Sequence, residues 1–508
     1  MKTERFHCTI TALAPLHLGT GEVYEPMGFV LDADKMALQV FDPMDFTAAL
    51  EQGALKRFQD ICRKGTVESV LELYRFYNGN LETGRRVAQR SVAVCKGLVD
   101  KYRQMLRPQV GNTMSGSRAV RGAVNELQIG RTAWLAYDGR PFLPGSAIKG
   151  AMRTAWLNGV VSKAGPALRP PSDNKDGSAR ALEQRFLGYG MGGFENDPFR
   201  MVHVSDFMPV GHAPTRIVYA VNVKKNAQDA QLGPPQLLEV VRRGVVFSGT
   251  IAVLKPEGSA AIRNPLVWNG LAEALHTFYS REKGREDHDL ETVGAETVST
   301  PSSRDAGLVR IGRHSGAECL TIEPVRRIRI KTRTGYVDKP NATTLWLAGM
   351  APRPADRAQL LPFGWAALRV GGDDLARECE EKERLWQEAH PQRTTVSAEG
   401  NRSVPAPAVP DTRGPAPGMP SQAPETAPAT DTAPSSTVSL KDILLRQLAP
   451  LRSSDAGPMG SILQRVGELE SAQDRAQVAL AIRDKLGGSY KKHKRRAQID
   501  AWIGEGKK

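Results

Sequence analysis

The spacing of apolar residues changes character several times along the chain, and each change predicts a different kind of element. Near the start, Phe6, Cys8 and Ile10 alternate with His7, Thr9 and Thr11, the period of two expected of a half-buried strand. That strand runs on toward Gly19-Thr20-Gly21, which predicts a glycine turn. From about 45 to 106 the spacing becomes helical, through Leu50, Leu55, Phe58 and Ile61, then Val70, Leu71, Leu73, Tyr74 and Tyr77, then Val87, Leu98 and Met105. Strand-like stretches resume at 133–137, 201–204, 217–223, 245–253 and 326–333. Strands interrupted by a few helices predict an α+β body made of two related sheet domains, with a helical block inserted into the first.

The pattern then stops. Residues 403–436 hold nine Pro and seven Ala among 34 residues and almost nothing large and apolar. Such a segment cannot bury enough surface to offset its ordering entropy, so it is expected to be a disordered, polyproline-like tether over about 395–437. Beyond it, from 438 to 508, helical spacing returns in Leu440, Ile443, Leu444 and Leu448, in Ile462, Leu463, Val466 and Leu469, and in Val478, Leu480, Ile482 and Leu486. Three short helices are expected there, followed by a basic tail that contains Lys491-Lys492-His493-Lys494-Arg495-Arg496.

Composition narrows the partners. The chain has 508 residues, 40% of them hydrophobic, and carries a formal net charge of +14. By region the body to residue 394 holds +10, the tether −2 and the C-terminal module +6. A basic balance in the body itself points to an anionic partner such as nucleic acid. The five cysteines, Cys8, Cys62, Cys95, Cys319 and Cys379, are scattered and odd in number, which argues against a disulfide framework and against a Cys-x-x-Cys zinc site. The first residues hold no apolar stretch of signal-peptide length and no run is long enough to span a bilayer, so a cytoplasmic protein without a membrane partner is expected.

Three segments carry candidate chemistry. In the run from Phe142 to Trp156, Pro144 and Gly145 close a strand and Ser146 reads as the N-cap of a helix whose apolar face is Ile148, Met152, Ala155 and Trp156. Lys149 and Arg153, four apart, share another face near the positive helix N-terminus, where a phosphate can bind; Gly150 leaves room for a sugar or backbone to approach. The alternative is an ordinary capped helix with two solvated cations. In the second segment, strict alternation puts Arg327, Arg329, Lys331 and Arg333 on one face of a strand and Ile328 and Ile330 on the other. Side chains on that face repeat every ~6.6 Å, roughly the step of an extended nucleic-acid backbone. Four like charges in a row repel one another unless something anionic screens them, which favours phosphate binding over a merely solvated face. The third segment, Arg310-Ile311-Gly312-Arg313-His314-Ser315-Gly316, is a basic glycine loop unlike the phosphate-loop and dinucleotide signatures.

Candidates for catalysis are few. His17, His203 and His314 stand alone, with no nucleophile elbow or Ser/His/Asp order. Glu195, Asp197 and Asp206 flank the Gly-rich run 188–193, but turn chemistry accounts for Asp197-Pro198 without a metal. No catalytic residue, metal ligand or cofactor is therefore assigned. Aromatic residues are only 6% of the chain and no ribonucleoprotein aromatic motif is present, so base stacking is not the expected main mode of binding.

Taken in order, these segments resemble the CRISPR-associated RAMP superfamily, and more narrowly the fifth subunit of the Csm series in type III-A effector complexes. The resemblance spans about residues 4–370. It is carried by the run from Leu13 to Pro26, which includes His17-Leu18-Gly19-Thr20-Gly21 and Tyr24-Glu25-Pro26, and by Leu143-Pro144-Gly145-Ser146-Ala147-Ile148-Lys149-Gly150-Ala151-Met152-Arg153. The run from Asp197 to Asp206 and the loop from Arg310 to Gly316 fit as well. What the resemblance implies is two ferredoxin-like RAMP domains, 1–212 with the helical insertion and 213–394. It implies a noncatalytic subunit that caps the 3′ side of the crRNA and the filament of backbone RAMP subunits, and that assists assembly and crRNA 3′-end maturation, partly through host nucleases. The expected RNA-binding set is His17, Gly19, Gly21, Ser146, Lys149, Arg153, Arg310, Arg313, Arg327, Arg329, Lys331 and Arg333. A second reading is a metal-independent RAMP-type endoribonuclease that cuts repeat RNA, with His17 as general acid or base and Lys149 stabilising the developing charge. The tether and its helical module, like the short glycine loop, depart from the usual RAMP pattern.

Overall fold

A computed structural model describes residues 3–106, 127–164, 179–187, 194–225, 234–256, 262, 265–301, 306–332, 334–390, 440–448, 459, 462–463, 465–469, 471–487, 490 and 495–505. The expected tether, 395–437, and the Gly-rich run 188–193 lie outside the described residues. The chain divides into two units, Met1–Gly400 and Asn401–Lys508.

The first unit is a mixed α+β structure. Its strands in chain order are β1 (Thr3–Ala12), β2 (Gly19–Val23), β3 (Phe29–Asp32), β4 (Ala37–Val40), β5 (Arg90–Val94), β6 (Ile129–Thr132), β7 (Val202–Val204), β8 (Met208–Pro209) and β9 (Thr215–Lys224). They continue as β10 (Gln236–Val241), β11 (Val246–Leu254), β12 (Ala306–Arg310), β13 (Ile328–Thr332), β14 (Gly335–Lys339), β15 (Thr344–Gly349), β16 (Leu361–Pro362) and β17 (Trp365–Gly371). One sheet runs β12-β17-β1-β11-β7 with β8 also on β11; the other runs β2-β6-β10-β9-β5-β4-β3 with β15 on β9 and β16 on β15. Among the described residues, strands β13 and β14 pair only with each other, as a separate two-stranded ribbon.

Both sheets draw strands from both sides of residue 212. The N-terminal β1 lies between β11 and β17, in register from Thr3 opposite Leu254 and from His7 opposite Gly371. That central place explains why Thr9 is buried along with Cys8 and Ile10: the helix Asp373–Ala389 packs on β1 and buries Leu375 and Cys379, so both faces of the strand are covered.

The segment predicted to be a helical block contains four helices, Pro43–Ala48, Gln52–Lys64, Val67–Gly79 and Leu81–Val87, but also strand β5, followed by the helix Lys96–Leu106. β5 pairs in parallel with β9 and antiparallel with β4, with Val92 and Val94 in the core of the second sheet, so this block is woven into that sheet. The predicted strand at 133–137 is not formed; the strand lies earlier, at β6, and Trp134 makes only an isolated bridge to Pro141. The Gly19–Gly21 run is likewise not a free turn but part of edge strand β2.

Two long helices close the first sheet. Helix Gly145–Ala164 buries Ile148, Ala151, Met152 and Ala155, and Tyr279 of helix Trp268–Val293 donates its hydroxyl to the Ala151 carbonyl at 3.2 Å. The helix Trp268–Val293 ends on Gly294 in the left-handed region.

In the second unit, helices Leu440–Leu448, Ala472–Leu486 and Arg496–Glu505 share one core with Ile462, Leu463, Val466 and Leu469. The last helix lies in the expected basic tail, and its Ile499, Trp502 and Ile503 are buried. Among the described residues, no helix is long and apolar enough to cross a membrane.

Candidate nucleic-acid interface

Three segments, 13–17, 311–313 and 364–365, are hydrogen-bonded into one junction. Leu13 and Ala14 donate their N–H groups to the Trp365 carbonyl, Gly364 donates to Pro15, Ile311 donates to Gly364, and Arg313 donates to His17 at 2.8 Å. Close approach is what requires glycine at 312. Its φ is +87°, and a Cβ there would lie 2.6 Å from the His17 carbonyl oxygen. The loop tip is thereby fixed, with Arg313 exposed at its edge.

His17 itself is 1% exposed, and its Nδ1 is 2.7 Å from the Glu239 carbonyl oxygen. Burial pushes its proton affinity below the ordinary value, against the effect of that carbonyl. Its ring lies against the Gly19 backbone, since a Cβ on Gly19 would come within 2.9 Å of Nε2. At this position the ribonuclease reading finds a packed histidine instead of one open to a 2′-hydroxyl. The neighbouring imidazole, His314, sits in the loop with φ at +63°, and its ring stacks on Trp346 at 4.5 Å. Burial, with Arg313 and His17 adding to it, lowers the His314 pKa to about 4.

A chain of backbone hydrogen bonds leads from this junction to the helix start: Ala133 donates to Leu18, Phe142 to Ala133, and Leu143 to Phe207. Gly19, Gly21 and the first turn of helix Gly145–Ala164 are thus tied to one run of backbone. Ser146 is not the cap; the Gly145 N–H donates to Asp206 Oδ1 at 2.8 Å, leaving Ser146 exposed inside the first turn. No side chain fits at Gly145, where a Cβ would be 2.4 Å from the Val204 carbonyl oxygen. Gly150, in contrast, is exposed and open.

The two cations of this helix differ. Arg153 is bonded to Glu183 and lies 2.9 Å from Asp197, so its charge is offset internally. Lys149 is partly buried without an ion pair among the described residues, and burial holds its ammonium below the usual range, with Asp197 opposing and Arg153 assisting. Arg310 is committed further: 2% exposed, it lies 2.7 Å from Glu286 Oε1 and donates from Nε to the Phe363 carbonyl at 3.0 Å. It supports the loop from beneath, away from the surface.

The basic strand is β13, and its burial alternates as the sequence predicts, with Arg327, Arg329 and Lys331 exposed. In the ribbon, Arg329 stands opposite Asp338 and Lys331 opposite Tyr336, so these four share one face. Arg329 is 3.6 Å from Asp338 and its guanidinium lies 5.9 Å from the Tyr336 ring. Arg333 lies outside the described residues. The ribbon is rooted at both ends. Arg326 donates to Glu282 at 2.6 Å and to the Glu318 carbonyl at 2.9 Å, while the Ala342 N–H donates to Glu318 Oε1 at 2.9 Å. Just before it, the Glu323 N–H donates to Asn158 on helix Gly145–Ala164, nine residues past Lys149 and so ~13.5 Å along the axis.

Of the twelve expected residues, the structure therefore gathers His17, Gly19, Gly21 and Arg313 at the junction, and Ser146, Lys149 and Arg153 on the helix linked to it. Arg327, Arg329 and Lys331 stand on a separate ribbon, and Arg310 is interior. Sequence reasoning passed over Glu239, which is fully buried and receives Thr215 and Arg90 on its carboxylate while its carbonyl holds His17. It also passed over Arg131, beside the Gly19–Gly21 run. A lone Glu in an apolar strand is the signal that points to the first; nothing in the spacing points to the second. Among the described residues no group of three or more His, Cys, Asp or Glu is arranged to hold a metal ion.

Residues 9–261 match the family model described as the RAMP superfamily. No curated protein matches the chain. Among solved structures, similarity extends to a chain of a Csm-crRNA-target RNA ternary complex of a type III-A CRISPR-Cas system determined by cryo-EM, 19% identical over 72% of this chain and 100% of that one, with a TM-score of 0.43. Csm5 from T. onnurineus is 19% identical over 70% of this chain and 99% of its own, with a TM-score of 0.37.

Proposed function

We propose that this chain, which belongs to the RAMP superfamily, is the noncatalytic crRNA-binding subunit of a type III-A CRISPR effector complex in the cytoplasm. In this reading it caps the 3′ side of the crRNA and the filament of repeated backbone subunits, and it assists assembly and crRNA 3′-end maturation with host nucleases. In this reading the two sheets serve as the ferredoxin-like RAMP pair, each drawing strands from both halves of the body.

The observation that carries the proposal is how the fold sorts its cations. Arg310 and Arg153 are used internally, while Arg313, Arg329 and Lys331 are exposed and Lys149 is partly buried near the start of its helix. Surface cations, together with exposed backbone at Gly19, Gly21, Ser146 and Gly150, suit a phosphate chain read without regard to base sequence. In this reading the protein positions RNA instead of cutting it.

Affinity purification of the tagged protein from its native cells, with sequencing of bound RNA and mass spectrometry of bound proteins, tests the reading. Repeat-spacer RNA whose 3′ ends lengthen or fray on depletion, together with other type III-A subunits, is expected. Diverse cellular RNA without those subunits would reduce the protein to a general basic RNA binder.

A further inference from the structure

Edge strand β2 pairs with β6 at two points, Gly19 opposite Thr132 and Val23 opposite Gly130. Three residues of β2, Thr20, Gly21 and Glu22, therefore stand against a single residue of β6, Arg131. The surplus makes a bulge that pushes the β2 backbone outward, and all three residues are exposed. Gly21 has φ +88°, and a Cβ there would meet nothing within 4 Å, so the approach to the bulge is open.

Arg131 is held still at this bulge. Its guanidinium carbon lies 3.7 Å from the Trp134 ring centroid and 5.1 Å from that of Tyr24. Trp134 is fixed in turn, because its Nε1–H donates to Glu22 Oε2 at 3.0 Å, across the end of the bulge. Stacking of this kind removes rotamer freedom from the guanidinium while leaving its in-plane donors available.

The charge balance of Arg131 points the same way. Arg90, Arg140, Arg153 and Arg285, also buried or partly buried, each contact a carboxylate. Among the described residues Arg131 has no carboxylate partner, and its buried Nε has no hydrogen-bond partner. The Nε of Arg216 on β9 is in the same state; at Arg131 the two rings also fix where the remaining donors point. A cation that is partly desolvated, immobilised and unneutralised is costly to the free protein and is stabilised by an anion that completes it. The planar fork matches a phosphate's two oxygens.

We propose that Arg131, clamped by Trp134 and Tyr24 opposite the Thr20–Glu22 bulge, binds a phosphodiester of a single RNA strand. The site lies beside the junction that carries Gly19 and Gly21, and the inference rests on the crRNA-binding reading. The test is fluorescence anisotropy of the full-length protein with a fluorescein-labelled single-stranded oligoribonucleotide over a series of salt concentrations. Arg131→Ala is expected to lose roughly tenfold in affinity and to flatten the salt slope by about 0.7, the value of one phosphate contact on a single strand. Arg131→Lys is expected to keep the slope and still lose affinity, because lysine lacks the stacked planar fork. Arg131→Gln, closer in shape, replaces the alanine variant should that one fail to fold. If the alanine or glutamine variant binds with unaltered affinity and slope while Arg329→Ala weakens binding, the Arg131 site is wrong and the crRNA-binding reading stands. If the unsubstituted protein does not bind the strand, both fall.

Discussion

Gly312 offers a measurement of the junction free of assumptions about RNA. Alanine at 312 meets two penalties: a left-handed backbone, with φ at +87°, and a methyl group 2.6 Å from the His17 carbonyl oxygen. The first costs about 1–2 kcal/mol for an L-residue, and an overpacked methyl against backbone adds about 1–3 kcal/mol. Gly244 supplies the control, since its φ is +84° but a Cβ there would meet nothing within 4 Å. Alanine at either site also restricts the unfolded chain, a gain of about 0.4–1 kcal/mol that cancels between the two variants. The difference between Gly312→Ala and Gly244→Ala is therefore about 1–3 kcal/mol, the cost of prising the loop off His17. For a unit of 400 residues, an unfolding entropy of about 2.1 cal/mol/K per residue makes each kcal/mol roughly 1.2 °C, so the midpoints should differ by about 1–4 °C. Thermal unfolding followed by circular dichroism reads this directly. Equal midpoints would show that the His17 carbonyl does not exclude a side chain at 312, and the packed junction described above would be wrong.

Further outcomes follow from the same geometry. Lys149→Ala and Arg329→Ala should each flatten the salt dependence of RNA binding by about 0.7 without altering sequence preference; unchanged affinity and slope in both would remove them from the interface. Glu286→Ala leaves Arg310 buried and unpaired, which should cost about 3–5 kcal/mol in denaturant unfolding, whereas a stability unchanged by the substitution would contradict the interior placement of Arg310. His314 has a pKa lowered to about 4 from its ordinary 6.5, so the unfolded chain takes up a proton before the folded one and stability should fall as pH drops from 6.5 toward 4. His314→Asn, which tolerates the positive φ, should make stability less dependent on pH in that window; an unchanged pH profile would refute the assignment. Truncation after about residue 394 should spare RNA binding, because every expected RNA-binding residue lies before it; a lost affinity would contradict that placement.

Much of the local structure was legible in the sequence. Alternation placed β1 and β13 and the outward face of Arg327, Arg329 and Lys331, because a strand's period of two is a property of the backbone alone. Helical spacing found the apolar face Ile148, Met152 and Ala155 for the same kind of reason. The helix Trp268–Val293 escaped that reading because, after Leu271, Leu275, Phe278 and Tyr279, its buried face continues through Glu282, Lys283 and Glu286, which break the apolar periodicity. Likewise β5 was hidden in a helical stretch, since its place is set by pairing with β9, more than 120 residues later. Arg310 and Arg313 look alike three residues apart, yet Glu286 reaches the first and leaves the second at the surface. Sequence by itself determined which residues can bind phosphate and the period that orients them. Only the tertiary structure decided which cations are spent on buried carboxylates and which stay outside, because a charge's availability depends on partners that chain contacts of long range bring to it.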